Sequence, residues 1–119
     1  MTIKIGTDII EISRFSKLQD KQIINRCFTE SEKDYCFSKH NSPQHFAARF
    51  AAKEAIIKAL SGFGLSLDCN KIEICNEENG RPYVKYLTDD PCYRSLYTDI
   101  SLSHSDTAAV AFVLIHDQK

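Results

Sequence analysis

The stretch FAARFAAKEAIIKAL, residues 46–60, decides the fold. At 100° per residue, its five large apolar side chains form one stripe of a helix, and its alanines fill the arc where a surface helix would carry polar residues. A helix that is apolar or small on almost every side is normally buried. Ser42 and Pro43 supply a start signal, and Ser61 and Gly62 supply a stop. The pattern therefore predicts a long central helix from residue 42 to residue 60.

Shorter elements flank this helix on both sides. Upstream we predict a strand at 3–12, broken by Gly6, and a helix at 13–26. A second short helix at 29–36 is predicted to open on the capping box of Thr29 and Glu32. Downstream we predict two antiparallel hairpins, the first turning at Asn79-Gly80, with strands at 72–75, 82–87, 99–105 and 108–115. The resulting fold class is α+β, with an antiparallel sheet packed against the central helix in a single domain, 1–119.

Composition excludes several classes of protein. The chain has 119 residues, of which 43% are hydrophobic and 26% charged, and its net charge is −1. This balance gives no bulk attraction to nucleic acid, and no apolar run approaches the ~20 residues that span a bilayer. Five cysteines without a CxxC pair indicate reduced thiols rather than a disulfide framework or a zinc site. We expect a cytoplasmic protein that binds neither nucleic acid nor membranes.

Four charged residues interrupt the central helix and need partners. They are Arg49, Lys53, Glu54 and Lys58, and an unpaired buried charge is too costly to retain. One interpretation is an i,i+4 salt bridge between Glu54 and Lys58, with long side chains reaching solvent. The other is a site for an anion or a metal ion. The alanine face would suit the close approach of a neighbouring subunit or a ligand.

Two further clusters carry chemistry. Asp8 and Glu11 lie in the opening strand, where Asp8 is either a turn residue or, beside Glu54, half of a carboxylate pair suited to magnesium and phosphate oxygens. His104 stands in the hydroxyl-rich segment SLSHS, 101–105, either bonded to those hydroxyls or facing a phosphate. The sequence leaves these alternatives open.

A basic stripe precedes the central helix. If residues 13–26 are helical, Arg14, Lys17 and Lys21 share one face, opposite Phe15 and Leu18. The stripe is either a solvated face or a docking surface for an acidic partner.

Four segments together resemble a known family. They are IGTDIIEISRF, FAARFAAKEAIIKAL, ENGRPYV and SLSHSDTAAVAFV, which are collinear and span nearly the whole chain. They are similar to the signature blocks of bacterial holo-[acyl-carrier-protein] synthases, the small trimeric type of 4'-phosphopantetheinyl transferase. The resemblance implies a homotrimer with active sites at the subunit interfaces.

The resemblance also implies roles for individual residues. Asp8 and Glu54 match the magnesium ligands, and Lys58 matches the contact to the coenzyme A pyrophosphate. Arg49 and His104 match positions near the 3'-phosphate, and Gly80, Arg81 and Pro82 match the element near the adenine. Arg14, with Lys17 and Lys21 behind it, matches the helix that receives the acidic acyl carrier protein.

The implied reaction is transfer of 4'-phosphopantetheine from coenzyme A to a serine of apo acyl carrier protein, in support of fatty acid biosynthesis. The general base stays open between Asp8, Glu54 acting through a bound water, and a hydroxide on the metal. The loop 61–67 departs from the family pattern, so its role is also open. Two rival functions remain: a magnesium-dependent nucleotide or phosphate-ester hydrolase, and a non-catalytic module that docks an acidic protein.

Overall fold

The computed structural model describes residues 1–16 and 21–118. Its three α-helices are α1 (Lys21–Cys27), α2 (Glu30–Phe37) and α3 (Ser42–Ser61). Its five strands are β1 (Ile3–Glu11), β2 (Ile72–Asn76), β3 (Pro82–Tyr86), β4 (Tyr97–His104) and β5 (Ala108–His116). The predicted central helix and both predicted hairpins are therefore observed, with ends that differ by one or two residues. No described helix is long and apolar enough to cross a membrane.

The strands form two antiparallel sheets. The larger has the order β1-β5-β4, which leaves one edge of β1 unpaired, and the smaller is the hairpin of β2 and β3. Helix α3 packs mainly against β1 and β5. The predicted α+β class, with an antiparallel sheet on a long central helix, is confirmed.

The alanine face of α3 lies against the sheet of the same chain. Ala51, Ala55 and Ala59 are fully buried, and a Cβ on Gly6 of β1 would lie 1.9 Å from the carbonyl oxygen of Ala55. One interpretation of the sequence is therefore wrong: Gly6 does not break the strand, but lets the helix backbone approach it. At Ala55 and Ala59 the helix meets this sheet, so the chain's own strand accounts for this part of the alanine face. Ala48 of the same face lines a cavity instead.

An aromatic cluster covers another side of α3. Phe46 and Phe50 of α3 meet Phe15 and Phe28, with ring centroids between 5.1 and 6.5 Å apart. Such edge-on and offset contacts add roughly 0.5–1.5 kcal/mol per pair beyond the burial itself. They fix the segment before α2 onto the central helix.

A buried ion pair joins α3 to α2. Lys53 Nζ lies 2.8 Å from Glu32 Oε1, and both side chains are fully buried. Burial lowers the pKa of Lys53, while the neighbouring carboxylate of Glu32 opposes that shift. The ammonium also donates to the backbone carbonyls of Cys27, Cys69 and Ile72. Hydrogen-bond acceptors of the protein therefore take the place of water around this ammonium charge.

Glu32 is equally well satisfied. It completes the predicted capping box by accepting from the backbone N–H of Thr29, and it accepts from Ile74 N of β2 at 2.8 Å. One carboxylate therefore ties the start of α2 to the central helix and to the small sheet.

Two predictions about the first half of the chain need correction. Residues Ile12–Ser16 form a 3-10 turn and the described helix α1 spans Lys21–Cys27, so the described part of 13–26 is not one regular α-helix. Cys27 and Cys69 form a disulfide, with Cα atoms 5.0 Å apart, so the prediction that all cysteines are reduced thiols is wrong. The two cysteines are 42 residues apart and only the tertiary fold brings them together.

We expect Lys53→Met to lower the free energy of unfolding by about 3–5 kcal/mol, because it leaves the buried Glu32 carboxylate without its counter-ion. Urea denaturation followed by circular dichroism measures the change. The matched control is Lys33→Met, which removes an exposed i,i+3 pair with Glu30 and should cost less than about 1 kcal/mol. A loss below 1 kcal/mol for Lys53→Met would contradict a structural role for the pair.

Candidate functional site

One part of the candidate site lies where β1 meets the second half of α3. Lys58 Nζ donates to Asp8 Oδ1 at 3.1 Å and to the carbonyl of Thr7 at 3.0 Å. The Asp8 side chain is 18% exposed and that of Lys58 is 56% exposed. Within the described residues Glu54 and Lys58 form no ion pair. Of the two interpretations, the i,i+4 salt bridge is therefore not observed, and Lys58 pairs instead with the strand residue Asp8.

Glu54 comes level with Asp8 because β1 runs antiparallel to α3. Gly6 faces Ala55 and Ala59, whereas a Cβ on Gly62 would meet the side chain of Lys4. Two strand residues advance about 6.8 Å, which matches four to five residues of helix. The step from Gly6 to Asp8 therefore reaches the turn of α3 that carries the half-buried Glu54.

This arrangement suits a hard divalent cation. Asp8 Oδ2 is buried and has no hydrogen-bond partner in the described part of the chain. A buried carboxylate oxygen without a partner is costly, and a cation would satisfy it. The described residues contain no cluster of three or more His, Cys, Asp or Glu side chains. Two carboxylates without a third ligand fit magnesium, which keeps waters and takes its other ligands from phosphate.

A second part of the site is a cavity of about 370 Å³ at the first half of α3. All five residues that the sequence assigned to the nucleotide line it: Arg49, Gly80, Arg81, Pro82 and His104. The lining includes no carboxylate and four basic or imidazole side chains, so the cavity favours an anion. Gly80 has φ +90°, a conformation that glycine adopts without strain, and it turns the hairpin so that the two following residues reach the cavity.

Sequence reasoning missed four polar residues that line the same cavity: Tyr35, Gln44, His45 and Asn76. None belongs to a local motif, since α2, α3 and β2 bring them together only in the folded chain. Arg49 is 3% exposed, and its guanidinium stacks 4.1 Å from the centre of the Tyr35 ring. Burial, followed by the positive charges of Arg49 and Lys39, lowers the pKa of His45.

The two parts of the site lie on opposite sides of α3. Arg49 and Lys58 are nine residues apart, which is a rotation of about 180° at 100° per residue. The cavity beside Arg49 includes none of Asp8, Glu54 and Lys58. A separate cavity of about 290 Å³ is lined by Lys58, Ile5 and Phe112 among others. The structure thus places the five predicted nucleotide residues around one cavity and pairs Asp8 with Lys58 on the other side of the helix, but it does not join the two sets within one chain.

The predicted basic stripe is only partly described. Arg14 lies in the 3-10 turn with its guanidinium 5.2 Å from the centre of the Phe50 ring, and Lys21 is exposed at the start of α1. Lys17 lies outside the described residues. Glu11 is exposed at the end of β1, away from the Asp8–Lys58 pair.

Comparisons with known proteins identify the family of this chain. Residues 4–113 match the family model of the 4'-phosphopantetheinyl transferase superfamily. A relative from Protochlamydia amoebophila, a holo-[acyl-carrier-protein] synthase, is 40% identical over 96% of this chain and 98% of its own. The predicted family and enzyme class are confirmed.

Solved structures show the same fold. The holo-(acyl-carrier-protein) synthase of Bacillus anthracis, solved in complex with CoA (3',5'-ADP), is 32% identical and superposes with a TM-score of 0.78 over 98% of this chain and 96% of its own. The ACPS–CoA complex of Chronobacterium ammoniagenes superposes with a TM-score of 0.84 over the full length of both chains, and its 21% identity supports the fold alone. On the family model and the identity to the curated relatives, this chain belongs to the 4'-phosphopantetheinyl transferase superfamily.

Proposed function

We propose that this chain is one transferase domain that moves 4'-phosphopantetheine from coenzyme A to a serine hydroxyl of apo acyl carrier protein and releases adenosine 3',5'-bisphosphate. The observation that carries the proposal is the Asp8–Lys58 pair, in which the second carboxylate oxygen of Asp8 is buried and has no hydrogen-bond partner among the described residues. The names of the relatives and the coenzyme A bound by the Bacillus anthracis protein support the choice of substrates. A cytoplasmic location stays a prediction.

Asp8 and Glu54 would hold a magnesium ion, since their oxygens are the ligands that this metal takes. When bound there, the metal supplies charge neutralisation to pyrophosphate oxygens. The more exposed Lys58 can turn from Asp8 to the phosphate and stabilise the charge that develops on the leaving bisphosphate. Phosphoryl transfer needs little covalent chemistry from the protein, so positioning and electrostatic stabilisation dominate the rate.

The nucleotide end of coenzyme A would occupy the cavity beside Arg49. Arg49 and His104 would bind the 3'-phosphate, and the turn of Gly80, Arg81 and Pro82 would contact the adenine. A single chain presents this cavity on the side of α3 opposite to Lys58, so one nucleotide cannot engage both parts of the same chain. We infer that a second copy completes each site, as expected for a homotrimer.

The sheet provides a surface for that second copy. Its face away from α3 exposes the large apolar side chains Ile3, Ile5, Ile9 and Phe112, which are 45–63% exposed. Strand alternation and the β1–β5 register place them on one face, and a contiguous exposed apolar patch marks an interaction surface. Ile5 and Phe112 also line the cavity that contains Lys58. A copy bound to this face would therefore border the metal half of the site.

We expect Glu54→Gln to reduce the transfer rate at least about 100-fold, because it removes a carboxylate that neutralises transition-state charge through the metal. Mass spectrometry of the carrier protein, incubated with coenzyme A and magnesium, measures transfer directly. Glu11→Gln is the matched control and should stay within about 3-fold of wild type, since Glu11 lies away from the site.

The outcomes of this assay separate the rival functions. Full activity of Glu54→Gln would show that the metal-ligand assignment is wrong. A wild-type chain that never modifies the carrier would show that the transferase proposal is wrong. Magnesium-dependent hydrolysis of coenzyme A without a carrier would instead favour the hydrolase, and the absence of any reaction would favour the docking module.

Mixing two inactive variants tests whether sites are shared between copies. Arg49→Ala and Glu54→Gln damage opposite halves of the site, so random mixed oligomers should recover about a quarter of wild-type activity per site. Co-expression followed by the transfer assay measures this recovery. As a control, the double variant mixed with either single variant should recover none. Failure of the two single variants to complement each other would contradict a shared site.

The described part of the basic stripe should contribute to carrier binding. We expect Lys21→Glu to raise the KM for acyl carrier protein about 5–10-fold while leaving the KM for coenzyme A unchanged, because surface charges act on encounter with a charged partner. The effect should shrink at high ionic strength. Lys85→Glu makes the same charge change on the exposed side of β3 and should have little effect. Equal effects of the two variants would contradict a docking role for Lys21.

A further inference from the structure

The cavity beside Arg49 contains a carboxamide that joins its two walls. Asn76 Oδ1 accepts from Arg49 Nη2 at 2.5 Å, and Asn76 Nδ2 donates to the carbonyl of Gly80 at 3.0 Å. A single side chain at the end of β2 therefore links a cation of α3 to the hairpin turn.

Apart from the bond to Asn76, hydrogen bonds constrain the Arg49 guanidinium only weakly. Its contact to the carbonyl of His45 is 3.4 Å long, and its Nε is buried without a hydrogen-bond partner in the described part of the chain. The Tyr35 ring fixes the plane of the guanidinium by stacking, but it does not fix rotation within that plane. The short bond to Asn76 supplies that remaining constraint.

We propose that Asn76 is a positioning residue that sets the Arg49 guanidinium to receive the 3'-phosphate of the nucleotide. This inference rests on the proposed function, because it assumes that the cavity binds the nucleotide of coenzyme A. An arginine binds phosphate strongly only when its fork of N–H groups is correctly oriented.

The inference predicts a selective loss of affinity. We expect Asn76→Ala to weaken the binding of adenosine 3',5'-bisphosphate about 10-fold, since charge-assisted hydrogen bonds are worth about that factor or more. Binding of adenosine 5'-monophosphate, which lacks the 3'-phosphate, should change less than about 3-fold. Isothermal titration calorimetry on the full chain measures both nucleotides.

A double-mutant cycle with Arg49→Ala tests whether Asn76 acts through Arg49. In the Arg49→Ala background, Asn76→Ala should cause no further loss of bisphosphate affinity. Asn79→Ala is the matched control for a loosened hairpin, because Asn79 accepts from the backbone of Arg81 in the same turn and does not contact Arg49. It should leave the preference for the bisphosphate intact.

A second position keeps the test informative if Asn76→Ala does not fold. Tyr35→Leu removes the stacking ring and should weaken the preference for the bisphosphate, whereas Tyr35→Phe keeps the ring and should preserve it. Equal losses for both nucleotides, additive losses in the cycle, or a wild type without preference for the bisphosphate would each overturn the role of Asn76. A wild type that binds neither nucleotide would instead overturn the proposed coenzyme A site, which separates the two failures.

Discussion

The close approach of α3 to β1 is the constraint on which the rest of the structure depends. Gly6 leaves no room for a Cβ beneath the carbonyl of Ala55, and the buried alanines extend this contact along the helix. Because backbone lies on backbone, the register between strand and helix cannot slide without a clash. That register places Asp8 against Lys58 and level with Glu54. The small residues therefore serve the proposed chemistry indirectly, by fixing the helix register that pairs Lys58 with Asp8.

On another side of α3, the pair of Lys53 and Glu32 also fixes how neighbouring elements pack against the helix. Their pair, with its backbone partners, holds α2 and the start of β2 against α3. Tyr35 of α2 and Asn76 of β2 are the residues that surround Arg49. A polar network in the core is costly to assemble, but once satisfied it defines a single arrangement. The buried Lys53–Glu32 pair thus fixes the positions of the elements that form the cavity walls, although neither residue lines the cavity.

Sequence patterns predicted what depends on local periodicity and failed where distant segments meet. The capping box of Thr29 and Glu32 and the central helix are local features, and both are observed. The Cys27–Cys69 disulfide and the Asn76–Arg49 bond join residues far apart in sequence, and no spacing signals them. The alanine face is a third case. Its small residues correctly indicated that another element packs closely on the helix, and at Ala55 and Ala59 that element is the chain's own sheet. Residue chemistry alone proposed a magnesium pair of Asp8 and Glu54 and an anion or metal site at the charged residues of the helix, and the family resemblance assigned these positions to coenzyme A.

The division of the candidate site by α3 connects the geometry of one chain to the proposed function. A helix that presents Arg49 on one side and Lys58 on the other does not bring both residues to one nucleotide. In the proposed function, a second copy of the same chain would supply the missing half, so that each copy would offer one half to a neighbour on either side. Any change at Gly6 or the alanine face would then act on two different sites at once, because the helix it moves belongs to both.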